Sequence, residues 1–285
     1  FEIRNAYRKK GVRIFAKMEW QQLGNSVKAR PAFNILKQAI LNHQIKPDTH
    51  LLDATSGNTG IAYASIGAAL GVNVTLCLPE NASKERKLIL KSLGANITYT
   101  SRFEATDGSQ VKALEMKKTS PNQYYYADQY SNENNWKAHY HTTAEELYKQ
   151  THGKLTHFVT GLGTTGTFIG TSRKLQLLNP NIQTVSLQPE IAMHGMEGWK
   201  HLETAKVPKI YDSSVADANL MVDTMESYEW IKRFARKEGI LLSPSSAANF
   251  AGAVKVAEQI DEGIIVTMFP DSADKYSEVL KQVFA

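Results

Sequence analysis

Short apolar runs alternate with stretches of helical period along most of this chain, and glycine-bearing turns separate them. His50-Leu51-Leu52-Asp53-Ala54 is one such run. Ile61 to Leu70 is a helix of small residues stopped by Gly71, and Val72 to Leu78 is a second run. Apolar runs too short for helices and bounded by turn residues read as buried strands. The same reading gives a strand over Ile14–Trp20 and a helix from Ala32 to His43. Another helix opens at Ala82-Ser83 and closes at Gly94, and a strand covers Ile97–Thr100. The polar stretch Ser120–Trp136 is the best candidate for a domain crossing. Beyond it come a helix through Glu145 and Leu147, a strand over His157–Thr160, a helix over Phe168–Leu178 and a strand over Thr184–Gln188. Ile191–Asp212 reads as irregular. Helices over Ser227–Lys237 and Ser246–Gln259 and a strand over Ile264–Phe269 complete the pattern. Strand, helix, strand, helix at these lengths means parallel sheets wrapped by helices. The expected arrangement is two α/β domains meeting at a cleft, with ligands beyond the carboxyl ends of the strands.

Composition narrows the functional classes. A chain of 285 residues, 42% hydrophobic and 21% charged, buries a sizeable core and fits a soluble globular protein. No apolar run is long enough to span a bilayer, and Phe1 onward shows no secretory apolar segment. The first residue is Phe rather than Met, which leaves open a native segment before it. Cys77 is the single cysteine; it reads as a buried strand residue, and no disulfide can form within the chain. That fits a reducing, cytoplasmic setting. The net charge of +5 is scattered apart from Arg4, Arg8, Lys9, Lys10 and Arg13, which read as an exposed turn between strands. No aromatic-basic interleaving accompanies them, so no nucleic-acid partner is expected. His139 and His141 point in different directions on a helix, and no carboxylate or cysteine completes a set, so no metal is expected. His194 reads as a loop residue near the cleft entrance.

Three stretches carry chemistry. Lys28 precedes a helix whose first turn holds Pro31 and whose apolar face is Ala32, Ile35, Leu36, Ala39 and Ile40. Most lysines are solvated surface charges, but one at the mouth of a buried-face helix is partly desolvated. Such a lysine loses its charge readily and becomes a nucleophile able to form a Schiff base. Gly161-Leu162-Gly163-Thr164-Thr165-Gly166-Thr167 lies between a strand and a helix. Its glycines let backbone N–H groups approach an anion, its hydroxyls add donors, and the helix start supplies a favourable dipole, so phosphate is the expected ligand. A tight turn with capping threonines is the alternative. A nucleotide P-loop is excluded because no Gly-Lys-Thr/Ser follows. Thr55-Ser56-Gly57-Asn58-Thr59-Gly60 gathers neutral donors at another helix start. It suits a carboxylate, with simple N-capping as the alternative.

Together these motifs resemble fold-type II pyridoxal phosphate (PLP) enzymes of the cysteine synthase family over nearly the whole chain. Leu187-Gln188-Pro189-Glu190, Gly195-Met196-Glu197-Gly198-Trp199 and the Gly163–Thr167 loop look most like its B branch. The resemblance implies a tryptophan synthase β-like α/β architecture of two three-layer α/β/α domains. A small mobile domain would cover 22–132, and a large PLP-binding domain 1–21 plus 133–285. It implies that Lys28 holds PLP, that Asn58 bonds its phenolic oxygen, and that Gly163, Thr164, Thr165, Gly166 and Thr167 bind its phosphate. Ser272 would sit at the pyridine nitrogen, and Thr55, Ser56, Asn58, Thr59 and Gln129 would take the substrate carboxylate. A serine there leaves the ring a weaker electron sink than a carboxylate would, which favours β-elimination and β-replacement. The expected reaction converts an O-activated L-serine, O-acetylserine, to L-cysteine with sulfide or another sulfur donor through an aminoacrylate. A homodimer is expected. The alternatives are an O-phosphoserine enzyme, a cystathionine β-synthase-like enzyme, an amine-using relative, or a catalytically silent binding homologue. Two departures stand out: Ala29 replaces the family's usual Asp, and Ser243-Pro244-Ser245-Ser246-Ala247 replaces a glycine-bearing turn.

Overall fold

The structure is a computed structural model and describes residues 1–55 and 57–285. In chain order the elements are β1 (Glu2–Ile3), β2 (Val12–Met18), α1 (Ala29–Leu41), β3 (His50–Ala54), α2 (Asn58–Leu70), β4 (Val74–Pro79), α3 (Lys84–Ser92) and β5 (Asn96–Thr100). There follow α4 (Ala105–Thr119), β6 (Tyr124–Tyr126), α5 (Glu133–His141), α6 (Thr143–Gln150), β7 (His157–Gly161), α7 (Gly166–Leu178), β8 (Gln183–Pro189) and β9 (Ala218–Val222). The last are α8 (Thr224–Glu238), α9 (Pro244–Gln259), β10 (Gly263–Phe269) and α10 (Ser277–Phe284). The chain divides into two compact units, residues 22–135 and residues 1–21 with 136–285.

The unit of residues 22–135 is built on a four-stranded sheet of order β5-β4-β3-β6, parallel throughout. Every residue of β4 is buried, as a strand covered on both faces requires. Ile61, Ala62, Tyr63, Ala64 and Ile66 of α2 are all buried, so this helix of small residues is enclosed on several sides. The stretch read as a domain crossing contains β6, whose three tyrosines pair with β3. The boundary between the units falls between Asn135 and Trp136, at the end of that stretch and within α5. Aromatic residues fit a pleated, half-buried surface, and the polar residues around them hide that signal.

The other unit carries a sheet of order β1-β2-β10-β7-β8-β9, parallel except for the antiparallel β1–β2 pair. The basic residues near the start do form a turn between strands, where Glu2 pairs with Arg4 and Arg13. The rings of Phe234, Phe250 and Phe269 meet edge to face in the core at centroid separations of 5.1 and 5.5 Å. Three elements went unread in the sequence here: β1, β9 and α10. Among the described residues no helix is long and apolar enough to cross a membrane.

The departure at Ser243 has a local cause. Ser243 is the N-cap of α9 and its hydroxyl accepts the N–H of Ser246 at 3.2 Å, with Pro244 in the first turn. Pro suits that place because its missing N–H has no intrahelical use. Ser243→Ala is expected to lower stability by about 1 kcal/mol and Ser243→Gly by only a few tenths, read by urea denaturation. Equal losses in the two variants would remove the capping role.

Candidate active site

Within the unit of residues 22–135, the segment before α1 makes a sharp entry. Gly24 and Asn25 both take left-handed conformations, and Ser26 and Val27 then turn inward to near-complete burial. Lys28 follows at the helix start, half-buried, with its carbonyl accepting the N–H of Ala32 at 3.1 Å. Its own N–H meets Ser26 Oγ at 3.3 Å. The lysine therefore stands on a fixed backbone.

β3 and β6 are parallel neighbours, so the loops that follow them leave the same edge of the sheet. The first carries Thr55, Asn58 and Thr59; the second carries Gln129. Thr55 is buried and its hydroxyl accepts the N–H groups of Gly57 (3.0 Å) and Gly60 (3.2 Å). That is the capping use, and it leaves the hydroxyl proton to donate. Thr59 Oγ1 donates to Gln129 Oε1 at 2.8 Å, and Gln129 Nε2 donates to the carbonyl of Ala54 at 2.7 Å. Asn135 Nδ2 holds the carbonyl of Gln129 at 2.7 Å. Asn58 opens α2 and is half-buried. Ser56 lies outside the described residues. The structure thus joins Thr59 and Gln129 in a hydrogen-bonded frame tied to Ala54, with Thr55 next along the chain.

In the other unit β7 and β10 are also parallel neighbours, and Gly163–Thr167 and Ser272 follow their carboxyl ends. Gly161 N–H donates to Asn249 Oδ1 at 2.7 Å, while Asn249 Nδ2 donates to the Met268 carbonyl at 2.8 Å. One buried amide ties the two strand ends together. The irregular segment read over 191–212 packs on the loop: Lys200 N–H donates to the Leu162 carbonyl at 2.8 Å. Thr165 stands at the N-cap of α7 with φ +70°, a left-handed conformation rare for a β-branched residue. Its buried hydroxyl has no hydrogen-bond partner among the described residues. A strained residue with an unsatisfied donor at a helix start fits an anion, and the pyridoxal phosphate group in particular.

Ser272 is half-buried, and its hydroxyl donates to Asp274 Oδ2 at 2.7 Å. Toward a ring nitrogen this hydroxyl would have to turn from that carboxylate. The turn beneath it is firmly held: Asp271 accepts from Tyr276 at 2.7 Å, and its carbonyl accepts from Ser246 Oγ at 2.7 Å.

His139 is a residue that the sequence reading weighed only for metal. It is buried, with Nδ1 against Thr143 Oγ1 (2.9 Å) and Nε2 against Thr167 Oγ1 (3.3 Å), so it supports the glycine-threonine loop. Its two-residue spacing from His141 drew attention to metal and away from this contact. His194 Nδ1 accepts the N–H of Met196 at 3.2 Å, and burial, with His201 adding, lowers its proton affinity. Cys77 is fully buried on β4, and burial pushes its thiol up to about 12. Among the described residues no group of three or more His, Cys, Asp or Glu is placed to hold a metal.

Comparison with known proteins agrees with this geometry. The chain is 44% identical over 269 residues to a cysteine synthase of Aquifex aeolicus, covering 93% of this chain and 82% of the relative. A cysteine synthase B of Pseudomonas aeruginosa is 36% identical over 265 residues, covering 92% and 87%. The crystal structure of a cysteine synthase from Entamoeba histolytica superposes with a TM-score of 0.90 at 29% identity, covering 99% of this chain and 91% of that one. The family described as pyridoxal-phosphate dependent enzyme matches residues 1–271. Both units lie inside that match almost entire, with α10 alone among the named elements beyond it. The chain therefore belongs to the pyridoxal-phosphate dependent enzymes.

Proposed function

We propose that this enzyme makes L-cysteine by β-replacement, converting O-acetyl-L-serine and sulfide to L-cysteine and acetate. The observation that carries the reading is the frame of Thr59 and Gln129, with Thr55 beside it. It offers neutral hydroxyl and amide groups at a helix start. Such a site suits a carboxylate on a small amino acid. The relatives named above supply the choice of reaction.

Bound pyridoxal phosphate supplies an aldehyde that captures amines and a ring that draws electrons from the α-carbon. Lys28 would hold its aldehyde carbon through Nζ. Gly163, Thr164, Thr165, Gly166 and Thr167 would hold its phosphate, and the unsatisfied Thr165 hydroxyl gains a partner there. Asn58 and Ser272 would meet its ring oxygen and ring nitrogen. Thr55, Thr59 and Gln129, with Ser56, would orient the substrate carboxylate. Lys28 Nζ, freed when the substrate amine takes its place, would then take the α-proton as general base. Acetate leaves the β-carbon with the C–O bond electrons, and sulfide adds at the same carbon. The proton on Lys28 returns to the α-carbon.

This reading includes sulfide as the sulfur donor and a cytoplasmic homodimer as the working form. The test is cysteine formation by the PLP-loaded chain with O-acetylserine, O-phosphoserine and serine in turn. O-Acetylserine is expected to exceed the others by about 100-fold in kcat/KM. A preference for phosphoserine, or for homocysteine over sulfide, would move the assignment to a related β-replacement. No product from any activated serine would sink it.

A further inference from the structure

The proposed chemistry leaves one buried acid unused. Asp53 lies on β3 just before the substrate loop and has no solvent exposure. Its Oδ1 accepts the N–H of Ala54 at 2.9 Å, and its carboxyl also lies beside the backbone N–H of Gln129. A single side chain therefore holds the end of β3 and lies against the loop after β6. Gln129 answers across the same gap through its Nε2 bond to the Ala54 carbonyl.

The surroundings of this carboxyl are apolar or acidic. Tyr63 of α2, Cys77 of β4, Tyr125 and Tyr126 of β6, and Asp128 and Tyr130 beyond it are the titratable groups that interact with it. Tyr63 lies beside it, yet Asp53 Oδ2 and the Tyr63 hydroxyl both lack a well-formed hydrogen bond among the described residues. A buried carboxylate with one oxygen unbonded is costly, whereas the neutral acid still accepts N–H bonds and adds a donor. Burial pushes Asp53 up to about 8, with Asp128 adding to it and the backbone N–H bonds opposing.

We propose that Asp53 is a positioning residue that works as the neutral acid, holding Ala54 and Gln129 at the spacing the substrate carboxylate needs. Its ionisation places a buried negative charge beneath the site that must receive another. This rests on the carboxylate frame assigned above. The consequence is substrate affinity that fails at alkaline pH while the bond-breaking step is little affected.

The experiment compares wild type with Asp53→Asn and Asp53→Ala. KM and kcat for O-acetyl-L-serine are measured on the PLP-loaded chain from about pH 6.5 to about pH 9.5. Wild-type KM is expected to rise about 10-fold above that of Asp53→Asn at the alkaline end, since a second like charge in a low-dielectric site is strongly repelled. Substrate-amine titration is common to both and cancels. Asp53→Asn keeps the acceptor but cannot ionise, so its KM lacks the extra alkaline rise whatever its value near neutrality. Asp53→Ala loses the hold on the strand end, and its KM is raised at every pH. Should Asp53→Ala fail to fold, the asparagine comparison still decides.

Thermal unfolding gives a readout free of activity. Asp53 binds a proton in the folded state, and not in the unfolded one, between about pH 4 and about pH 8. Wild type should lose stability relative to Asp53→Asn as pH rises through that window, and no further above it. Parallel melting profiles, or an alkaline KM rise of equal size in Asp53→Asn, would overturn the proposal. If wild type turns over no activated serine, the proposed reaction fails by itself. The melting shift given by L-serine then reads the carboxylate site, with the same contrast expected between the two proteins.

Discussion

Lys28→Ala is expected to abolish cysteine formation while leaving the fold in place. The substitution removes the amine proposed both to hold the cofactor and to take the α-proton. General-base catalysis by a placed side chain is worth up to about 10,000-fold, so loss of at least that order is expected. The backbone at Lys28 is helical, with φ −69° and ψ −15°, and alanine takes those angles without strain. The bonds from Lys28 N–H to Ser26 Oγ and from Ala32 N–H to the Lys28 carbonyl involve only backbone at this position, so they survive. Circular dichroism and urea unfolding should therefore match wild type within about 0.5 kcal/mol. A small primary amine added to the assay is expected to restore part of the rate. Activity above about 1% without added amine would remove Lys28 from both roles.

The contrast between loop and frame explains what the sequence made legible. β3 could be bounded to the residue because an apolar run stands between Pro47 and a glycine-bearing turn. The glycine-threonine loop and Lys28 could be named from residue type and place, because both chemistries are local to a strand end or a helix start. Gln129 could not. Its use depends on β6 lying beside β3, and a strand of three residues in a polar stretch is fixed by its partner rather than by its own period. Asp53 is a different kind of omission: an acid inside a buried strand is a local signal. Reading the run only for hydrophobic pattern passes over it. Thr55 shows that the two alternatives at the second loop were not exclusive, since its hydroxyl caps α2 and still keeps a proton to give.

The second large effect is expected at Gly163. A β-carbon built there would lie 2.2 Å from the carbonyl oxygen of Gly198, so backbone meets backbone and no side chain can turn aside. The neighbouring groups cannot retreat freely either. A β-carbon on Gly161 would strike the Trp199 ring at 2.0 Å, and Lys200 N–H is bonded to the Leu162 carbonyl at 2.8 Å. Gly163→Ala must therefore shift the loop itself. Overpacking of this kind costs about 1–3 kcal/mol, and the displaced groups are those assigned to phosphate. Affinity for pyridoxal phosphate is expected to fall by about 100-fold or more, measured by dialysis equilibrium. General destabilisation is separable from loss of the cradle by melting with and without cofactor. Wild type should gain stability on adding pyridoxal phosphate, and Gly163→Ala should gain little at the same concentration. Undiminished affinity in the variant would mean that the loop is only a turn, and that Thr165 bears its left-handed strain and unsatisfied hydroxyl for some other purpose.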